Sequence, residues 1–216
     1  LIMFLVDHFG NEASEVGNAN WNFKQHSLIR QFALGNYKEL VREITKDVAM
    51  LRYLNGYLNN KNAPDENYAR ELMELFTLGK GPGSQYTEND VKEAAKVLTG
   101  WKVNRTTYTS YYDTTRHDKT TKVFTDAFGK ASIQNKEAEE YKLLVDMIFS
   151  KKETARYITR KVYRWLMYYT IDQTIESQII EPLATTLFNN NYEIKPMLEQ
   201  LLSSEHFFSS DYFGSQ

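Results

Sequence analysis

Pro64-Asp65-Glu66-Asn67-Tyr68-Ala69-Arg70-Glu71-Leu72-Met73-Glu74-Leu75-Phe76-Thr77-Leu78-Gly79 is the stretch whose reading decides the fold. Wound at about 100° per residue, Tyr68, Ala69, Leu72, Met73, Leu75 and Phe76 fill one broad apolar arc, the period of a helix with a buried face. Pro64 fits a first helical turn, and Asp65 and Glu66 place acid at the positive end of the helix dipole. Gly79 supplies the residue type that ends helices. The pattern predicts a helix from Asp65 to Leu78. Its polar edge carries Asn67, Glu71 and Glu74 at helical spacing, with Arg70 four residues from both Glu66 and Glu74. Glu71 falls at the border of the apolar arc. A buried carboxylate needs a cationic partner, so the leading reading is a structural network of Glu66, Asn67, Arg70, Glu71, Glu74 and Arg30. In it Glu71 is ionised and held by Arg30 or by an arginine of the Arg156–Arg164 stretch. The rival reading takes Glu71 and Glu74 as a pair that binds a divalent ion or shares a proton.

The same helical period runs outward in both directions. Leu1 to Val6 is too short an apolar run to span a bilayer and lacks the pattern of a signal peptide. It reads as the buried part of a helix closed by Gly10, in a chain trimmed from a longer protein. Trp21 to Leu34 places Phe23, Leu28, Ile29 and Phe32 near one face, with Gly35 as its stop. Tyr37 to Ile44 and Asp47 to Leu54 are two shorter helices, and residues 59–64 are a loop by composition. Thr87 and Asp90 resemble a capping box that opens a helix ending near Thr99. After Gln134, Tyr141, Leu144, Val145 and Ile148 form one stripe, and Ala155, Ile158, Val162, Trp165 and Tyr169 another. Pro182 is expected to kink or restart the helix from Glu176 to Asn189. Tyr192 to Ser203 closes the series. No repeat or low-complexity tract appears, which argues against a solenoid.

Residues 101–124 differ, being rich in Thr, Tyr and Val. Tyr108 to Tyr112 and Thr120 to Phe124 are expected to pair as a hairpin, with Arg116, His117 and Asp118 near its turn. The fold expectation is therefore a mainly α, single multi-helical domain over residues 1–216 with a small β-hairpin insert at about 101–125.

Composition narrows the function. The chain has 216 residues, 42% of them hydrophobic, which suffices for a core. Its net charge of -2 argues against a protein that coats nucleic acid. Without cysteine there is no disulfide, thiol nucleophile or thiolate metal site. No zinc-protease pattern, nucleophile elbow, phosphate loop or dinucleotide fingerprint occurs, and no motif asks for a cofactor. His117-Asp118, with Lys119 and Lys122 near, is a polar pair on a loop that serves either a site or merely a turn. His8 and His26 sit amid apolar neighbours, where histidine usually serves the core. Lys152, Arg156, Arg160 and Arg164 form a basic stripe that reads as a solvated helix face. Tyr108, Tyr111 and Tyr112 offer a stacking surface for sugars or simply suit a strand.

The run Glu66 to Gly79 resembles the signature of the bacterial Domain of Unknown Function 1800 family. The likeness continues through Tyr86-Thr87-Glu88-Asn89-Asp90-Val91, Ala94-Ala95 and Leu98-Thr99-Gly100-Trp101. His117-Asp118, followed by Lys122, stands where that family has its His-Asp motif. Asp7-His8-Phe9 resembles the end of its aromatic, His-rich early motif, although Leu5-Val6 replace the Trp and His of that pattern. The resemblance implies a bacterial, often exported protein, longer at both ends and often encoded beside a sulfatase-like family; it implies no activity. The leading functional expectation is an interaction or scaffold domain of a periplasmic or otherwise exported system that acts with a protein partner. One alternative is a hydrolase-like or metal-binding enzyme in which Glu71, Glu74, His117 and Asp118 converge. Another is carbohydrate binding by Tyr108, Tyr111 and Tyr112.

Overall fold

The computed structural model describes residues 1–209. It is mainly α, with two small two-stranded antiparallel sheets. In chain order the first helices are α1 (Ile2–His8), α2 (Ala13–Val16), α3 (Ala19–Phe32), α4 (Tyr37–Thr45) and α5 (Val48–Tyr53). Next come α6 (Asn67–Glu71), which continues as a π-helical turn (Leu72–Thr77), and α7 (Glu88–Val97). Strands β1 (Trp101–Asn104), β2 (Thr109–Tyr112), β3 (Lys122–Val123) and β4 (Ser132–Ile133) follow. The chain then returns to helices α8 (Glu140–Phe149), α9 (Lys152–Leu166), α10 (Gln173–Ile175), α11 (Glu181–Asn189) and α12 (Ile194–Leu202), with a second π turn (Glu176–Ile180) between α10 and α11.

One continuous apolar core runs from Phe4 to Leu201 and takes side chains from nearly every helix. A smaller cluster of Val16, Trp21, Val48 and Ala49 lies beneath α3 and α5. Caps fall where the sequence places them. Asn36 and Asp47 accept from the backbone N–H groups of Glu39 and Met50 at the starts of α4 and α5. Thr87 and Asp90 form the reciprocal capping box of α7. Asp90 also accepts from the backbone N–H and hydroxyl of Thr125, both at 2.7 Å, so one buried carboxylate joins the start of α7 to the β3–β4 region.

Several expectations are corrected. Tyr108–Tyr112 and Thr120–Phe124 do not pair. β2 instead returns onto β1, with Trp101 opposite Tyr112 and Asn104 opposite Thr109. β3 pairs with β4, Lys122 opposite Ile133. A short loop joins β1 to β2, so Trp101–Asn104, given no strand partner in the sequence reading of the 101–124 stretch, is the nearer partner. Phe23 is 72% exposed, because α3 buries the face of Trp21, Gln25 and Ile29. Trp165, in the last turn of α9, is exposed, and so is Tyr169, which lies beyond the helix end at Leu166. Pro182 acts as foreseen: it stands in the first turn of α11, where the preceding π turn re-enters α geometry.

The signature helix is not α throughout. From Leu72 to Thr77 the backbone widens into a π turn, closed by Leu78 N–H to Met73 O at 2.8 Å and by Gly79 at φ +75°. Side chains cover its carbonyls. Thr77 Oγ1 donates to Leu72 O at 2.6 Å, Tyr37 Oη to Phe76 O at 2.7 Å and Tyr157 Oη to Leu75 O at 3.0 Å. The wide turn carries fewer degrees per residue than the α-helix assumed from the sequence. Leu75 therefore swings to 43% exposure while Leu72, Met73 and Phe76 stay buried.

Candidate functional site

The predicted network on the signature helix is only partly assembled. Arg70 is held by Glu66 at 2.9 Å and by Glu88 of α7 at 2.6 Å, clamping α6 to α7. Asn67 Nδ2 donates to Leu54 O. Glu74 pairs with Lys80. Arg30 lies on the exposed face of α3, and no arginine forms an ion pair with Glu71 among the described residues. The expected Arg30–Glu71 contact is corrected: Glu71 Oε2 is out of solvent contact and accepts no hydrogen bond. Burial, then the neighbouring Glu74 carboxylate, raise the Glu71 pKa; Lys80 and Arg70 oppose them from a distance. The charged form is thus penalised where the sequence led one to expect it stabilised.

Glu71 instead lines a cleft of about 380 Å³ with Asp7, His8, Asn11 and Glu12, whose apolar walls include Leu54, Leu75 and Phe76. His8 is 6% exposed and belongs to a chain of hydrogen bonds. Tyr37 spends its one proton on Phe76 O, so its oxygen accepts from His8 Nε2 at 2.6 Å. His8 Nδ1 then carries the lone pair and accepts from Lys161 Nζ at 3.1 Å. The network assigns a neutral ring protonated on Nε2. Burial, reinforced by the Lys161 ammonium and opposed by the bond to the Phe76 backbone, lowers the His8 pKa to about 3. Sequence reasoning placed His8 in the core, and it is there. What it missed is that His8 also walls a cleft, because the end of α1 meets the π turn only in the folded chain.

His117 and Asp118 do not join Glu71 and Glu74. Wholly buried, His117 donates from Nε2 to Glu140 Oε1 at 2.8 Å, while its Nδ1 lies 3.0 Å from Thr99 O. Both ring nitrogens thus face oxygens, which fixes the ring. Lys122 is also fully buried; its Nζ donates to Glu140 Oε2 at 2.7 Å and to Asp118 O. The backbone N–H of Lys136 donates to Glu140 Oε1 at 2.9 Å. Burial alone would raise the Glu140 pKa, but the hydrogen bonds from His117, Lys122 and Lys136 outweigh it and hold the pKa below the ordinary value. Asp118 folds onto Thr120 through its carboxylate, and its backbone N–H donates to Thr99 Oγ1 at 2.8 Å. Glu140, the centre of this cluster, had no sequence signal: it lies 23 residues beyond His117, at the start of an apolar stripe.

The other candidates are engaged locally. Lys152 and Arg156 bind Glu181, and Arg160 binds Glu153 and Glu176, so these three residues of the basic stripe fasten α9 to the α10–α11 segment, while Arg164 is exposed. Tyr108 packs edge-on against Trp21, Tyr112 packs edge-on against Trp101, and Tyr111 is half exposed. The three tyrosines therefore do not form one stacking platform. His26 is exposed. Among the described residues no three His, Asp or Glu side chains are placed to hold a metal ion, and no helix is long and apolar enough to cross a membrane.

Fold and site together define a mainly helical domain with one buried His–Glu–Lys cluster and one acidic cleft. The family model described as "Protein of unknown function (DUF1800)" matches residues 1–216, the whole chain, and the chain belongs to that family. No curated protein and no solved structure matches it.

Proposed function

We propose that residues 1–216 act as one interaction domain of an exported bacterial protein, docking a protein partner on the groove between the start of α1 and the ends of α3 and α9. One observation carries this reading. Ile2 (37% exposed), Met3 (74%), Leu34 (61%) and Trp165 (43%) leave apolar surface around a groove of about 670 Å³. An apolar patch of this kind, rimmed by polar groups, is the mark of a contact surface. Arg30 stands at the rim with no ion pair among the described residues, so the partner segment presents apolar side chains beside a carboxylate. The continuous core from Phe4 to Leu201 supports treating the chain as one unit. The test is site-specific photo-crosslinking from position 3 of the full-length protein in its native host. The expected result is one partner, crosslinked through an apolar and acidic segment and lost with Arg30→Glu or Trp165→Ala. Crosslinks that are absent, scattered or indifferent to both substitutions overturn the reading.

The hydrolytic alternative retains one supporting observation, the Glu71 carboxylate in a cleft beside His8. Its other proposed members lie elsewhere: Glu74 on Lys80, His117 on Glu140 and Asp118 on Thr120.

A further inference from the structure

We propose that the cleft between the α4–α5 corner and the β1–β2 hairpin binds a neutral sugar, with Trp101 as its stacking wall and Glu43, Lys46, Asp47, Thr109 and Ser110 as the polar groups around it. This goes beyond the docking groove and shares no residue with it. The cleft encloses about 400 Å³, a size that suits a small molecule rather than a segment of another protein. The hairpin register builds one side of it. Trp101 lies opposite Tyr112 and Val103 opposite Ser110, and directly paired side chains share a face. Ser110 and Tyr112 are half-buried while Thr109 and Tyr111 are exposed, so that face turns toward the helices. Ser110 therefore sets a hydroxyl beside the Trp101 indole on an otherwise apolar and aromatic face, and it forms no side-chain hydrogen bond among the described residues. Tyr112 and Tyr141 hold the indole by edge contacts at 5.5 and 5.6 Å, so the wall stands in place before a ligand arrives. Tyr108, Tyr111 and Tyr112 are not among the walls of this cleft.

The helical side supplies both signs of charge. Glu43 pairs with Lys46 at 3.0 Å, so these two cancel. Asp47 accepts from the backbone N–H of Met50 and forms no ion pair among the described residues. Burial pushes its pKa up to about 6, against the backbone N–H groups at the start of α5 and the distant Lys24. A hydroxyl donated from the cleft would relieve that carboxylate. The chemistry of the lining selects the ligand. An ammonium would use only its acceptors and an anion only its donors. A sugar uses both, because each hydroxyl donates and accepts, and its C–H face stacks on the indole. The same chemistry is presented by a free sugar and by a polysaccharide chain.

Isothermal titration of the chain with the methyl glycosides of glucose, galactose, mannose and N-acetylglucosamine, with cellotetraose, and with butylammonium and acetate as charged controls tests this. The expected result is saturable binding of one or more of the sugars with a Kd of about 1 mM, and none of either ion. Ser110→Val removes the hydroxyl and fills the space beside the indole with a residue that strands favour. It should weaken binding about tenfold or more without lowering Tm. Asp47→Asn keeps the cap of α5, since asparagine caps as well as aspartate, and should weaken binding about fivefold. Tyr111→Ala, on the outer face, should leave binding unchanged. Cellotetraose bound more tightly than every methyl glycoside points to a polysaccharide, and equal or weaker binding to a single sugar unit. No saturable sugar binding up to about 50 mM, an ion bound as tightly as the sugars, loss of binding with Tyr111→Ala, or unaltered binding in both Ser110→Val and Asp47→Asn overturns the proposal.

Discussion

Replacing Glu140 by alanine should be among the most damaging single changes in this protein. Glu140 accepts from His117, from Lys122 and from the backbone of Lys136, and the side chains of Glu140, His117 and Lys122 are fully buried. Without the carboxylate, the Lys122 ammonium keeps the Asp118 carbonyl as its oxygen acceptor with His117 Nε2 3.5 Å away, and His117 Nε2 loses its carboxylate partner. Stranding one charge of a buried pair costs about 3–5 kcal/mol. The orphaned histidine adds little beyond that, because members of one network do not contribute independently. For a domain of this size each kcal/mol moves Tm by about 2–4 °C, so a fall of roughly 6–20 °C is expected. Scanning calorimetry at pH 7 measures it. The double variant Glu140→Ala/Lys122→Met should recover part of the loss, since the stranded charge goes too, and Glu139→Ala, which breaks the exposed pair with Lys142, should leave Tm nearly unchanged. The sign with pH follows from the depressed Glu140 pKa. Its stabilising effect is complete above the ordinary glutamate value of 4.5 and is lost as pH falls through the lower folded value, so the acid limb should flatten in the variant. A single variant that melts within about 2 °C of wild type, or a double variant that melts lower still, would refute the stranded-charge reasoning.

Three further outcomes are expected. His8, protonated near 6.5 when unfolded but only near about 3 when folded, stabilises fully above pH 6.5. That contribution should drain away toward pH 3 at up to about 1.4 kcal/mol per pH unit, and the urea midpoints of His8→Gln between pH 7 and 4 should show the shallower slope. Gly79 has φ +75°, and a Cβ there would stand 2.5 Å from the Tyr157 ring; Gly79→Ala should cost about 2–4 kcal/mol from left-handed strain and overpacking together, measured by urea denaturation, and a variant as stable as wild type would contradict the close approach. Asp90→Ala removes the α7 cap and both bonds to Thr125, for about 2–3 kcal/mol; a loss under about 0.5 kcal/mol in chemical denaturation would show the capping carboxylate to be dispensable.

What the sequence determined by itself is local. The mainly helical fold, the capping box of Thr87 and Asp90, the stop at Gly79, the restart at Pro182 and the buried place of His8 all depend on contacts within a few residues or on the period of apolar side chains. Backbone geometry fixes such contacts before any distant part of the chain arrives. Tertiary structure decided the rest. Trp101–Asn104, left without a strand partner in the sequence reading, became the partner of β2 because strand pairing is a contest between segments rather than a property of one. The signature helix opened into a π turn whose carbonyls are covered by Tyr37 and Tyr157, donors from α4 and α9 that no local pattern announces. That turn put Leu75 and Glu71 on a cleft wall instead of setting Glu71 against Arg30. His117 met Glu140, not Glu71, because a buried polar group takes whichever partner the packing of distant helices brings within about 3 Å, and a linear sequence does not encode that distance in any spacing of its own.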